Sequence, residues 1–269
     1  MIAYENNNIG RIILLVASAF TFAYCFGVAV HEVGHVVAYQ YYGIATEKLV
    51  LDPFGHSYMV PVIENAAGEL LQRSGGSLFN IFCACCLSAV FWKKHNLYAF
   101  PILMWAGAAF IQESVAIILD ILNGSTFDWA LVVKEGISVY LVLLLSAVFM
   151  FIGCSIFLRL LAIAGVRPNY PITRIMMICL LGISPFFVLS LIYVSLFLVS
   201  EQDNWVFSKS IALGASILLS LIFSLLFKPL YPMLQKILPI NTQSISQGHV
   251  TFSILVALSF FIFCAFLYN

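Results

Sequence analysis

The fold class this sequence predicts is an all-α polytopic membrane protein of about seven transmembrane helices, with a short β-hairpin-like segment after the first. Three observations predict it. Of 269 residues, 62% are hydrophobic and 9% charged, whereas soluble globular domains carry about 25% charged residues. Mean hydropathy is +1.04. The apolar residues gather into long runs, and only one long segment between them mixes polarities. Twelve basic residues balance twelve acidic ones, and with no basic tail or arm, nucleic acid is excluded as a partner. The expected surrounding is the lipid bilayer, and the expected localisation is integral and multi-pass.

The first apolar run covers residues 12–42, more than the roughly 20 residues needed to span a bilayer. It is not read as a cleavable signal peptide, because no small-residue cleavage site precedes the polar motif into which it continues. Residues 43–73 are the mixed segment, with Glu47, Lys48, Asp52, Glu64 and Glu69. Within it, Leu49, Val50 and Leu51 on one side and Tyr58, Met59 and Val60 on the other flank Asp52-Pro53-Phe54-Gly55. Proline second and glycine fourth is a turn signature, so a hairpin is expected there. His56 at its tip reads as a solvated loop residue.

Six further runs follow, at residues 78–92, 97–119, 137–158, 172–199, 211–226 and 250–268. The run at 78–92 is short for a span, so its helix either begins earlier, at Gly75, or is partly re-entrant. Pro185 predicts a kink. The chain reads as a single membrane domain. Residues 10–135 hold most of the intramembrane polar groups and form its core, and residues 136–269 add scaffold or gating helices. All seven cysteines fall in apolar stretches and are expected to be small packing residues rather than a disulfide framework.

Lysine and arginine in short loops argue orientation. Arg11, Lys93, Lys94, Arg159, Arg167, Arg174, Lys228 and Lys236 fall on the N-terminal side, and Lys48, Arg73, Lys134 and Lys209 opposite. Eight against four puts the N-terminus in the cytoplasm.

The polar motif inside the first run is His31-Glu32-Val33-Gly34-His35. Residues four apart lie on one face of a helix, so His31 and His35 can offer two imidazole nitrogens to one ion. Zinc takes such ligands, and Glu32 can then act as general base on a water in the open coordination position. At 1.5 Å per residue His31 lies about 30 Å along the helix from Arg11, inside the far leaflet. Gly27 and Gly34 flank the ligand face and would let a neighbouring helix approach closely.

A catalytic zinc needs a third protein ligand. Glu113, Asp120 and Asp128 lie at or near the end of the third apolar run, at a compatible depth. The stretch from Asp120 through Asn123-Gly124 to Asp128-Trp129 reads as a helix end, a turn and a new helical start, and Asp128 also suits a helix N-cap.

At this point the chain resembles the site-2 protease-like intramembrane zinc metalloproteases. The histidine motif in an early membrane helix and the hairpin-like segment after it carry part of the likeness. Gly75-Gly76-Ser77-Leu78-Phe79-Asn80 is similar to that family's A-G-P-x-x-N element, and Asp120-x-x-Asn123-x-x-x-x-Asp128 has the spacing of its N-x-x-P-x-x-x-x-D-G element. Gly75, Ser77, Asp120, Asn123 and Trp129 depart from those patterns. The resemblance covers residues 24–130. It implies His31, His35 and Asp128 as ligands of one Zn2+ and Glu32 as the catalytic base. It also implies Asn80 as a substrate-orienting or oxyanion group, leaving Asp120 to orient a histidine. It implies an endopeptidase whose partners are membrane-protein substrates, cleaved in or near a transmembrane segment, at a site near the cytoplasmic face, which disagrees with the charge count that puts the motif toward the outer or lumenal leaflet. Two other readings stand beside it: a membrane zincin with Glu113 as third ligand, and a non-catalytic metal-binding membrane protein.

Overall fold

The computed structural model describes residues 9–51, 58–62, 70–92, 96–123, 128–164 and 244–268, with a few isolated positions between 225 and 236. Helix α1 is Ile9–Tyr41. Strands β1, Thr46–Val50, and β2, Tyr58–Pro61, form a two-stranded antiparallel sheet. Helix α2 is Leu70–Phe91, α3 is Phe100–Asn123 after a 3-10 turn at Leu97–Ala99, and α4 is Asp128–Lys134. Helices α5, Val139–Ile163, and α6, Gln247–Tyr268, complete the described elements.

Among the described residues five helices, α1, α2, α3, α5 and α6, are long and apolar enough to cross a membrane. The runs at 172–199 and 211–226, apart from Leu225, lie outside the described residues, as do Pro185, His56 and the turn between the strands. Helix α2 has 22 residues and begins at Leu70, ahead of the expected Gly75, so it is a full-length helix rather than a short span.

Local chemistry explains the boundaries. Helix α1 stops where Gly43 takes a positive φ of 74°, and the Gly43 and Ile44 amides donate to the Gln40 and Tyr39 carbonyls. That is a Schellman closure, which glycine adopts at no steric cost. Gly136, φ 99°, closes α4 in the same way through Val133 and Val132. The hairpin pairs Leu49 with Met59 and Val50 with Tyr58, the expected register. An irregularity between Thr46 and Lys48 offsets its open end.

Small residues set the helix crossings, as they do where lipid removes the hydrophobic drive to associate. A Cβ on Gly153 would stand 2.7 Å from Ile111 Cγ1 and 2.8 Å from the Gly107 carbonyl oxygen, so α3 and α5 touch backbone to backbone. Ser114 and Ser146 hydroxyls, 2.9 Å apart, link the same pair. Helices α1 and α6 are joined by Ser18 donating to Ser253 at 2.8 Å and by Phe260 packed edge-on against Phe22 and Phe26. Gly153→Val is expected to cost about 1–3 kcal/mol by overpacking. A lower thermal unfolding midpoint in detergent checks it.

Two expectations are corrected. Cys25 and Cys264 are buried, but Cys85 and Cys86 stand on the exposed face of α2. Arg159 is not a loop charge: it lies within α5 with 3% of its surface exposed. There it donates to the Trp92 carbonyl and stacks 4.0 Å over the Trp92 ring, satisfying a carbonyl at the α2 terminus.

Candidate metal centre

Helix α1 carries His31, Glu32 and His35 past the point where α2 crosses it. The crossing is close because three glycines meet there. A Cβ on Gly34 would lie 2.5 Å from the Gly75 carbonyl oxygen and 2.9 Å from Gly76 Cα. Side chains at these positions would push the helices apart; glycines let α2 lay its backbone over the histidines. Beside the crossing, an apolar groove of about 270 Å³ is lined by Gly34, Val37, Ala38, Leu78, Phe79 and Phe82 among others.

The two imidazoles face each other, His31 Nε2 to His35 Nε2, at 3.3 Å. Their other nitrogens meet acceptors. His35 Nδ1 is 3.0 Å from the Gln72 carbonyl oxygen, and His31 Nδ1 is 3.6 Å from Glu113 Oε1. The Gln72 carbonyl accepts only, so the neutral His35 ring carries its proton on Nδ1, and the Glu113 carboxylate facing His31 Nδ1 favours the same tautomer there. With both rings in that form the two Nε2 lone pairs point at one locus, an arrangement relieved by a shared cation or proton. Two nitrogens bound to a tetrahedral zinc at about 2.0–2.1 Å stand about 3.3–3.4 Å apart, which is the separation found. Gly76 keeps that locus clear: a Cβ there would lie 2.6 Å from His35 Nε2 and 2.7 Å from His31 Nε2. The two nitrogens thus match the spacing of two of the ligands that a zinc ion takes. Glu32, 8% exposed, is buried on the same helix, one residue from His31 and three from His35.

Around the histidines lies a buried polar shell. Glu113, on α3 and 1% exposed, receives Asn80 Nδ2 on Oε1 at 3.3 Å and Trp129 Nε1 on Oε2 at 3.4 Å. Asn80 is fully buried, and its amide nitrogen is directed at Glu113. Asp120 Oδ2 accepts the Trp129 backbone amide at 3.1 Å. It thus satisfies one of the free N–H groups in the first turn of α4. Asp120 was expected beside a histidine; this bond places its Oδ2 at the start of α4. Asp128 is the first residue of α4, and its side chain lies outside the described residues. Among the described residues no group of three or more His, Cys, Asp and Glu side chains gathers as a metal cluster.

Sequence reasoning missed Gln72, which acts through its backbone carbonyl and so leaves no side-chain signal. It noted Trp129 only as a departure from a motif, although an indole N–H in an apolar protein needs a partner. Compared with family models, curated proteins and solved structures, the chain matches none of them.

Proposed function

We propose that the chain is a multi-pass zinc endopeptidase that hydrolyses a peptide bond in or beside a membrane segment of another membrane protein. The observation that carries this reading is the pair of Nε2 atoms 3.3 Å apart, with both Nδ1 atoms facing acceptors and a buried glutamate on the same helix. His31, His35 and Asp128 are the proposed ligands, held by the first turns of α4 and the far half of α1. The two runs outside the described residues would bring the spans to seven. With Arg159 inside α5, seven basic residues against four still argue for a cytoplasmic N-terminus.

Zinc held there would polarise the scissile carbonyl and lower the pKa of a water beside it. Glu32 takes the proton of that attacking water and passes it to the departing amine. Asn80, hydrogen-bonded to Glu113 from α2, is the proposed substrate-orienting or oxyanion group. The glycine crossing keeps bulk away from the reacting atoms. A substrate helix must unwind before its amides are accessible, and the sheet, two-stranded among the described residues, would offer a strand edge to the extended substrate.

The test is zinc content of the detergent-purified protein together with cleavage of a membrane substrate, in wild type and Asp128→Asn. About one zinc per chain is expected in wild type, with affinity in Asp128→Asn lower by about 100-fold or more, since a ligand's loss should exceed the 10–100-fold cost of losing an outer partner. Unchanged affinity would move the third ligand elsewhere. A wild type that binds zinc without cleaving any membrane substrate would favour the non-catalytic metal-binding reading.

A further inference from the structure

We infer that Glu113 is a positioning residue rather than a zinc ligand: one carboxylate orients His31 and also seats the helix that begins at Asp128. The inference rests on the metal reading above and assigns Glu113 a place within it. Its two oxygens divide the work. Oε1 lies 3.6 Å from His31 Nδ1 and takes Asn80 Nδ2 at 3.3 Å, and Oε2 takes the Trp129 indole at 3.4 Å. Glu113 therefore joins four helices, α3 with α1, α2 and α4.

The side of the imidazole it meets decides its role. A ligand sharing the ion with His35 would have to approach the Nε2 edge of His31, where His35 Nε2 already stands at 3.3 Å. Glu113 is instead at Nδ1, across the ring. A carboxylate in that position fixes the tautomer and ring orientation of a metal-binding histidine and raises its basicity. The Gln72 carbonyl does the same for His35 without a charge. The second oxygen adds a link that the first lacks. Trp129 is 4% exposed and follows Asp128 directly, so holding its indole fixes where α4 starts relative to His31. Asp120 holds the same residue by its backbone amide, and α4 is thereby pinned from two carboxylates on one helix.

Zinc affinity, measured by competition with a chromophoric chelator, and the visible ligand-field spectrum of the cobalt-loaded protein test this in Glu113→Gln and Trp129→Phe. Neither readout follows from stability alone. In Glu113→Gln the protein is expected to reach wild-type zinc content at saturation, with affinity about 10–100-fold weaker and tetrahedral cobalt bands retained. Trp129→Phe keeps the His31 contact and removes only the donor to Oε2. It should weaken affinity less, by about 3–10-fold on the same scale. Glu113→Gln with no saturable zinc and collapsed cobalt bands would make Glu113 a ligand and overturn the inference. So would affinity equal to wild type in both variants. Should Glu113→Gln fail to fold, Trp129→Phe decides: unchanged affinity there overturns the seating of α4 through Glu113. A wild type that binds no zinc overturns the metal reading itself, and it is seen before any variant is made.

Discussion

Glu32→Gln is expected to slow cleavage of a membrane substrate by about 10²–10⁴-fold, the usual contribution of a general base, with zinc content unchanged. The amide occupies the space of the carboxylate, so the buried site is not emptied, but it cannot take a proton from water. Both imidazoles keep the partners that orient them, the Gln72 carbonyl and Glu113. Metal analysis and a cleavage assay on the same preparation check the two halves of the expectation. Activity near wild type would remove Glu32 from the reaction. Loss of zinc along with activity would place Glu32 in the metal shell instead.

Gly76→Val is expected to abolish zinc binding and activity together, with affinity falling more than about 100-fold, beyond what losing a supporting partner costs. The added Cβ would stand 2.6 Å from His35 Nε2 and 2.7 Å from His31 Nε2, on the edges offered to the ion. His35 is held at Nδ1 by the Gln72 carbonyl oxygen, and the His31 ring stands between His35 and Glu113. The helix cannot retreat without losing the contacts of Gly34 with Gly75 and Gly76. A zinc-binding isotherm beside that of Gly153→Val checks this, since the second variant crowds a crossing made by α3 and α5 and should retain the metal. Wild-type affinity in Gly76→Val would mean that the two nitrogens converge away from α2.

The long helices were legible because each is an unbroken apolar run, and the strands because two short apolar runs bracket a turn signature with proline second and glycine fourth. The start of helix α2 was not, and the reason is chemical. Its first turns contain Gln72, Ser74, Gly75, Gly76 and Ser77, which depress hydropathy and read as loop. All five are buried, because this is the part of α2 that packs against the histidines. The dip in the apolar run is therefore part of the candidate site. The motif on α1 was legible from spacing alone, and so was the helical start at Asp128. The station of Glu113 was not: a glutamate in an apolar helix announces a polar partner, but which nitrogen of His31 it meets depends on how α1 and α3 are rotated. Arg159 illustrates the converse case. A charge near the end of an apolar run looks like a loop residue, yet packing on Trp92 keeps it inside.

The glycine crossing of α1 and α2 has one more consequence. Helices in lipid gain little from excluding water and are held by close contact, and a gap of about 0.5–1 Å already forfeits a quarter to a half of that attraction. At Gly34, Gly75 and Gly76 the contact is between backbones, with no flexible side chain to absorb a shift. The imidazole pair stands on the same crossing, so the spacing that sets helix adhesion also sets the room beside the two Nε2 atoms. Ion binding and the packing of the first two helices would thus be linked equilibria, although the proposed ligands come from α1 and α4.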